Sequence, residues 1–187
     1  MRREDRLVDL FEDLEQQAEG LHLAERDAEL FDRSRSEYAE VTFAARLHAS
    51  VGSPVMLAVA GVGPLQGTLA RVGVDWCLLE TAPSAQEWVV ALAAVRQAGG
   101  LSERAVNEVA RSVVARLPMR SALRGIADSR SEVLLHHVDG TRLRGRLARA
   151  GADFVEVIPR SDDAGARPRT RRAEVVPLSM LAAVRRT

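Results

Sequence analysis

Apolar residues recur at helical spacing through roughly the first quarter of the chain. Leu7, Leu10, Phe11, Leu14, Ala18 and Leu21 stand three or four apart and share one face of a helix. The stripe resumes through Ala24, Ala28, Phe31, Tyr38, Val41 and Ala45, with Gly20 as a bend or end of its first piece. Between these positions the chain is mostly Glu, Asp and Arg. The pattern predicts a helical arm over residues 4–48, either a solvated helix with one buried stripe or, less regularly, a coiled coil.

After Gly52 the period changes to two, and turn residues punctuate it. VMLAV (55–59), LQGTLARV (65–72), DWCLLE (75–80) and EWVVAL (87–92) read as four strands, followed by a one-turn AAV and a short fifth. AGVGP reads as the turn between the first two. It does not read as a phosphate loop, because the residues after Pro64 are strand-like rather than the N-terminus of a helix. A helix-like TFAARLHAS precedes this set. SERAVNEVARSVVARL (102–117), capped by Ser102 and stopped by Pro118, reads as a helical linker.

A second set then repeats the first. MRSALRGIADS is helix-like, EVLLHHV (132–138) leads into the Asp139-Gly140 turn, and TRLRGRLARA, ADFVEVI, EVVPL (174–178) and AAVRR come next as strands. Leu143–Val157 is identical to Leu65–Leu79 at seven of fifteen positions: Leu65/Leu143, Gly67/Gly145, Leu69/Leu147, Ala70/Ala148, Arg71/Arg149, Gly73/Gly151 and Asp75/Asp153. The second copy is eight residues longer, all in the polar loop before its fourth strand. Gly67 and Gly145, inside strands, predict a bulge or sharp bend. Asp75 and Asp153 predict turn residues whose side chains accept nearby backbone N–H groups.

A helix, five short bent strands, a glycine in the second and a Gly-x-Asp lead into the third resemble the Sm-like small β-barrel and the related SH3-like barrels. The resemblance covers roughly residues 43–98 and 119–186. The layout is also similar to actinobacterial proteins that carry two such units. It implies an α+β fold: an N-terminal helical arm followed by two Sm-like/SH3-like five-stranded small barrels joined by a helical linker. The corresponding segments are an acidic arm at 1–42, a first barrel at 43–100, the linker at 101–118 and a second barrel at 119–187 with a basic loop at 159–173. Sm-like proteins commonly bind single-stranded RNA and assemble through strand edges. Their nucleotide pocket uses Asp-x-hydrophobic-Met-Asn and an Arg-Gly pair. Here Asp75-Trp76-Cys77-Leu78-Leu79 and Asp153-Phe154-Val155-Glu156-Val157 keep only the Asp, and Arg96 and Arg185 are not followed by Gly. The family's RNA site therefore does not carry over.

Charge adds to this picture. All 26 basic residues are Arg, balanced by 26 acids, but residues 1–40 carry net −7 and residues 119–187 net +6. Arg142, Arg144 and Arg146 alternate with Leu143, Gly145 and Leu147, which puts three guanidinium groups on one face of a strand. The first copy has Pro64, Gln66 and Thr68 there, so this basic face belongs to the second copy alone. With Arg169, Arg171 and Arg172 in the loop and Arg185 and Arg186 at the end, these residues are the candidate contacts for phosphate or an acidic partner. The alternative for all of them is a solvated strand face and an Arg-biased loop.

No catalytic, cofactor or metal pattern is found. His136 and His137 are adjacent on a strand, so their rings point to opposite faces and do not share a metal. Cys77, the single cysteine, excludes a disulfide framework and suits a reducing, cytoplasmic setting. The charged N-terminus lacks a signal-peptide core, and WVVALAAV is too short to cross a bilayer. Two function classes stay open. One is a non-enzymatic adaptor making protein–protein contacts through the arm and barrel edges, with room for a homo-oligomer. The other is sequence-nonspecific RNA or DNA binding by the Arg face, masked by the acidic arm.

Overall fold

The computed structural model describes residues 35, 38–83, 86–104, 113–160 and 172–187. The chain divides into two units, Met1–Thr42 and Phe43–Thr187. The arm helix expected over 4–48 falls mostly outside the described residues. Its last part is α1 (Phe43–Ala49), which belongs to the second unit and buries Ala45 and Leu47. The linker helix expected over 102–117 is described only at its two ends: residues 102–104 are not helical, although Ser102 Oγ accepts the Arg104 N–H at 3.1 Å, and Val113–Arg116 form a 3-10 turn.

Ten strands form where period two and turn residues predict them. They are β1 (Pro54–Val59), β2 (Gly63–Val72), β3 (Trp76–Thr81), β4 (Gln86–Ala91), β5 (Val95–Gly99), β6 (Glu132–His137), β7 (Arg142–Ala150), β8 (Phe154–Pro159), β9 (Glu174–Pro177) and β10 (Leu181–Arg186). A second helix, α2 (Met119–Asp128), buries Met119, Leu123 and Ile126, and packs on β7. Its apolar residues fall three and four apart, which gives one buried stripe.

The strands do not close into two barrels, and the expected fold class is corrected on this point. They form one open antiparallel sheet in the order β5-β1-β2-β3-β4-β10-β6-β7-β8-β9. A closed five-stranded unit would need β4 to meet β5, and β9 to meet β10. Instead the 3-10 turn at Leu92–Ala94 carries the chain from β4 across to β1, where β5 pairs. The open side of β4 is taken by β10, with Val90 opposite Ala183 and Trp88 opposite Arg185. The first five strands run 5-1-2-3-4 and the last five 10-6-7-8-9, so one connectivity occurs twice within one sheet.

Burial explains why the joint sits there. Trp88, Val89, Val90 and Ala91 of β4 are all buried, as are Leu181, Ala182, Ala183 and Val184 of β10. A strand apolar on both faces belongs at the centre of a sheet with material on each side. One row across the sheet reads Leu79, Trp88, Arg185, Leu134, Arg144. The next reads Leu78, Val89, Val184, Leu135, Leu143. The first row is core in the first half and basic surface in the second. The second row is buried at Val89, Val184 and Leu135, between half-buried Leu78 and Leu143. The hydrophobic cluster is therefore continuous but changes faces at β4 and β10.

Glycine fixes the close approaches. A Cβ on Gly67 would lie 2.3 Å from the Glu80 carbonyl oxygen, and one on Gly145 2.3 Å from that of Ile158. The bends expected in β2 and β7 are thus places where the neighbouring backbone comes too near for a side chain. Gly61, at φ +67, brings the β1–β2 turn against the β6–β7 turn, and its Cβ would lie 1.9 Å from the His137 carbonyl oxygen.

Asp75 sits in the β2–β3 bend and its carboxylate accepts a backbone N–H, as expected, but the partner is distant rather than local. Its Oδ1 accepts the backbone N–H of Met119 at 2.6 Å, at the start of α2. Trp76 Nε1 donates to the Leu117 carbonyl at 2.9 Å, and Val74 N–H to the same oxygen at 3.2 Å. The β2–β3 turn of the first half therefore anchors the helix of the second. A carboxylate at a helix N-terminus satisfies an N–H that the helix leaves open.

Candidate functional site

The residues of the proposed Arg face start from β7. Its alternation holds Leu147 in the core and leaves Arg142, Arg144 and Arg146 exposed on the other side. Successive guanidinium groups leave the strand about 7 Å apart, two residues of extended chain. The neighbours are set by register: Arg142 lies opposite His136, Arg144 opposite Leu134, and Arg146 between Glu132 and Ile158.

Glu132 is the local counter-ion, and sequence reading did not anticipate it. Both its oxygens accept from Arg160 Nη1, at 2.7 and 2.6 Å, and Arg144 approaches at 3.9 Å. Arg142 and Arg146 have neither ion pair nor hydrogen bond among the described residues.

The two C-terminal arginines separate, because adjacent strand residues face opposite ways. Arg185 joins the Arg144 face. Its Cζ sits 5.5 Å from the Trp88 ring centroid, and Nη1 donates to Gln86 Oε1 at 3.4 Å. Arg186 turns to the other face, where Nη1 pairs with Glu87 Oε2. Arg172 is exposed just before β9, while Arg169 and Arg171 lie outside the described residues. The structure thus gathers Arg142, Arg144, Arg146 and Arg185 and leaves Arg186 apart.

His136 completes the cluster. It is 4% exposed, its ring centroid is 5.2 Å from that of Trp88, and neither ring nitrogen has a hydrogen-bond partner among the described residues. Its pKa is pushed down to about 4, first by burial and then by the charges of Arg142, Arg185 and His137. His137 is half-buried, with Nδ1 2.7 Å from Thr141 Oγ1. Thr141 in turn donates from N–H and Oγ1 to Asp139, which holds that carboxyl below its usual range. Adjacent histidines on opposite faces could be read from the sequence. That one of them would meet Trp88 could not, since it depends on β10 lying between β4 and β6.

On the opposite face an open cleft of about 320 Å³ lies between α2 and β3–β4. Leu78, Val89, Ala122 and Ile126 are apolar in its lining, and Arg71, Glu80, Glu87 and Arg186 are charged. Cys77 is fully buried, and burial pushes its thiol up to about 12, so it stays protonated and unreactive at neutral pH. Among the described residues no three His, Cys, Asp or Glu side chains are grouped to hold a metal ion. No helix among them is long and apolar enough to cross a membrane. No protein-family model matches the chain, and no curated protein does.

Proposed function

We propose that the protein is a non-enzymatic, cytoplasmic adaptor that works through protein–protein contacts of its acidic arm and of the edges of its sheet. The observation that supports this reading is the open sheet. Among the described residues, β5 and β9 are each paired on one side only. An edge strand offers a row of main-chain donors and acceptors to an added strand, from another protein or another copy of this chain. Val175 on β9 is 61% exposed, whereas Val89, at the matching place in β4, is 4% exposed beneath its neighbours. The repeated connectivity supports descent of both halves from one small unit.

Cross-linking and capture from cell extract should distinguish the full-length protein from a Val175→Lys/Gln97→Lys variant, which puts charge on both edges. Proteins captured by the first and lost from the second, at equal thermal stability, carry the reading. Identical capture by both removes it.

A second reading, sequence-nonspecific RNA or DNA binding, is favoured by Arg142 and Arg146, unpaired among the described residues and in line with Arg144. Binding to a single-stranded RNA should then weaken with salt by about 0.7 in log–log slope per phosphate neutralised. Arg142→Gln/Arg146→Gln should reduce that slope by roughly 1.4. No binding at low salt eliminates this reading.

A further inference from the structure

We infer that Arg142, His136 and Arg185, beside Trp88, form a binding site for a small phosphate-class oxyanion: inorganic phosphate or the phosphate of a mononucleotide. Such a site does not rest on the adaptor reading and shares Arg142 with the nucleic-acid reading.

Register brings the three groups onto one face. Arg142 lies opposite His136 on neighbouring strands, and Arg185 lies opposite Trp88 on one side and Leu134 on the other. The ring and guanidinium distances, 5.2 Å from Trp88 to His136 and 5.5 Å from Arg185 to Trp88, make one cluster of them. Three of its polar atoms are buried without a partner among the described residues: His136 Nδ1, His136 Nε2 and Arg185 Nε. Buried polar atoms in native proteins are nearly always matched by protein, water or a bound ion.

Among the described residues the charge is unmatched as well. Glu132 is held by Arg160 and Arg144, Glu156 by Arg149, and Glu87 by Arg186 on the other face. Asp139 accepts from Thr141. None of these carboxylates is left for Arg142, and the hydrogen bond of Arg185 goes to a neutral amide. A tetrahedral dianion supplies what is missing. Its several acceptor oxygens suit two guanidinium forks at once and an imidazole N–H between them. Arg142 is the exposed member, so it is the point of entry, and Arg185 and His136 are the deeper contacts. A bound dianion would also offset the two arginine charges that disfavour the imidazolium.

The test uses the full-length chain with nitrogen-labelled histidine, titrated with sodium phosphate against chloride at fixed ionic strength and neutral pH. The His136 ring nitrogens should shift saturably. Arg142→Gln, an exposed change, should weaken binding about tenfold or more, as loss of a charged hydrogen bond does. Arg149→Gln, which removes the Glu156 pair instead, should leave binding unchanged. Adenosine monophosphate in place of phosphate separates the sources: tighter saturation marks a nucleotide's phosphate, equal saturation the free ion. A shift linear in phosphate, or equal saturation in wild type and Arg142→Gln, overturns the inference. Phosphate binding without RNA binding would leave the site standing and remove the nucleic-acid reading.

Discussion

Gly61→Ala is expected to lower stability by about 3 kcal/mol, roughly 10 °C in Tm. Two separate effects add at this residue. The backbone stands at φ +67, where an L side chain costs about 1–2 kcal/mol. The new Cβ would lie 1.9 Å from the His137 carbonyl oxygen and 2.8 Å from the Gly140 nitrogen. Both obstacles are main chain, so no rotamer change relieves them. The β1–β2 turn must withdraw from the β6–β7 turn, and the first half must loosen its hold on the second.

Gly140→Ala supplies the internal comparison. Gly140 stands at φ +90, yet a Cβ there would meet nothing within 4 Å. It carries the dihedral cost alone, about 1 kcal/mol or slightly more. Thermal and urea unfolding of both variants should therefore show Gly61→Ala losing at least twice as much. Equal losses would mean that the two turns do not pack in solution.

The positions of the strands were legible because their causes are local. Alternation, the Asp139-Gly140 turn, and glycines where a Cβ would strike Glu80 or Ile158 are all set within a hairpin. Closure was not legible, because nothing within either copy distinguishes β4 meeting its own β5 from β4 meeting β10. The signal lay in the contrast between copies. Trp88-Val89-Val90-Ala91 and Leu181-Ala182-Ala183-Val184 are unbroken apolar runs, as central strands require. Their counterparts, Glu174-Val175-Val176-Pro177 and Val95-Arg96-Gln97-Ala98, are interrupted by charge, amide or proline, as edges tolerate.

The same contrast separates the two aspartates. The Leu92 N–H donates to the Asp75 carbonyl and the Leu178 N–H to that of Asp153, so their backbones do the same work. Only the carboxylate of Asp75 has α2 to anchor. The candidate site was half legible for a related reason. Arg142, Arg144 and Arg146 share a face by period alone. Glu132, Trp88 and His136 join them only through pairings of β6 with β7 and of β10 with β4 and β6.

Those pairings also make His136 a source of acid sensitivity between pH 6.5 and about 4. Its folded pKa lies below the ordinary value of 6.5, at about 4. The fold therefore favours the neutral ring, and the unfolded chain binds more protons throughout that window. The contribution of His136 is complete above pH 6.5 and is lost as pH falls toward 4, in total about 3 kcal/mol. His136→Leu should remove this dependence. Because neither ring nitrogen has a partner among the described residues, no hydrogen bond is lost, and stability at pH 7 should stay within about 1 kcal/mol of wild type. The measurement is urea unfolding of both proteins from pH 7 to 4 in phosphate-free buffer, since a bound anion would itself favour the imidazolium. Carboxylates titrate in both proteins alike at the acid end, so the difference between the two curves isolates the ring. Parallel curves would show that His136 is protonated as easily in the fold as outside it, and that the Trp88–His136–Arg185 contact opens to water.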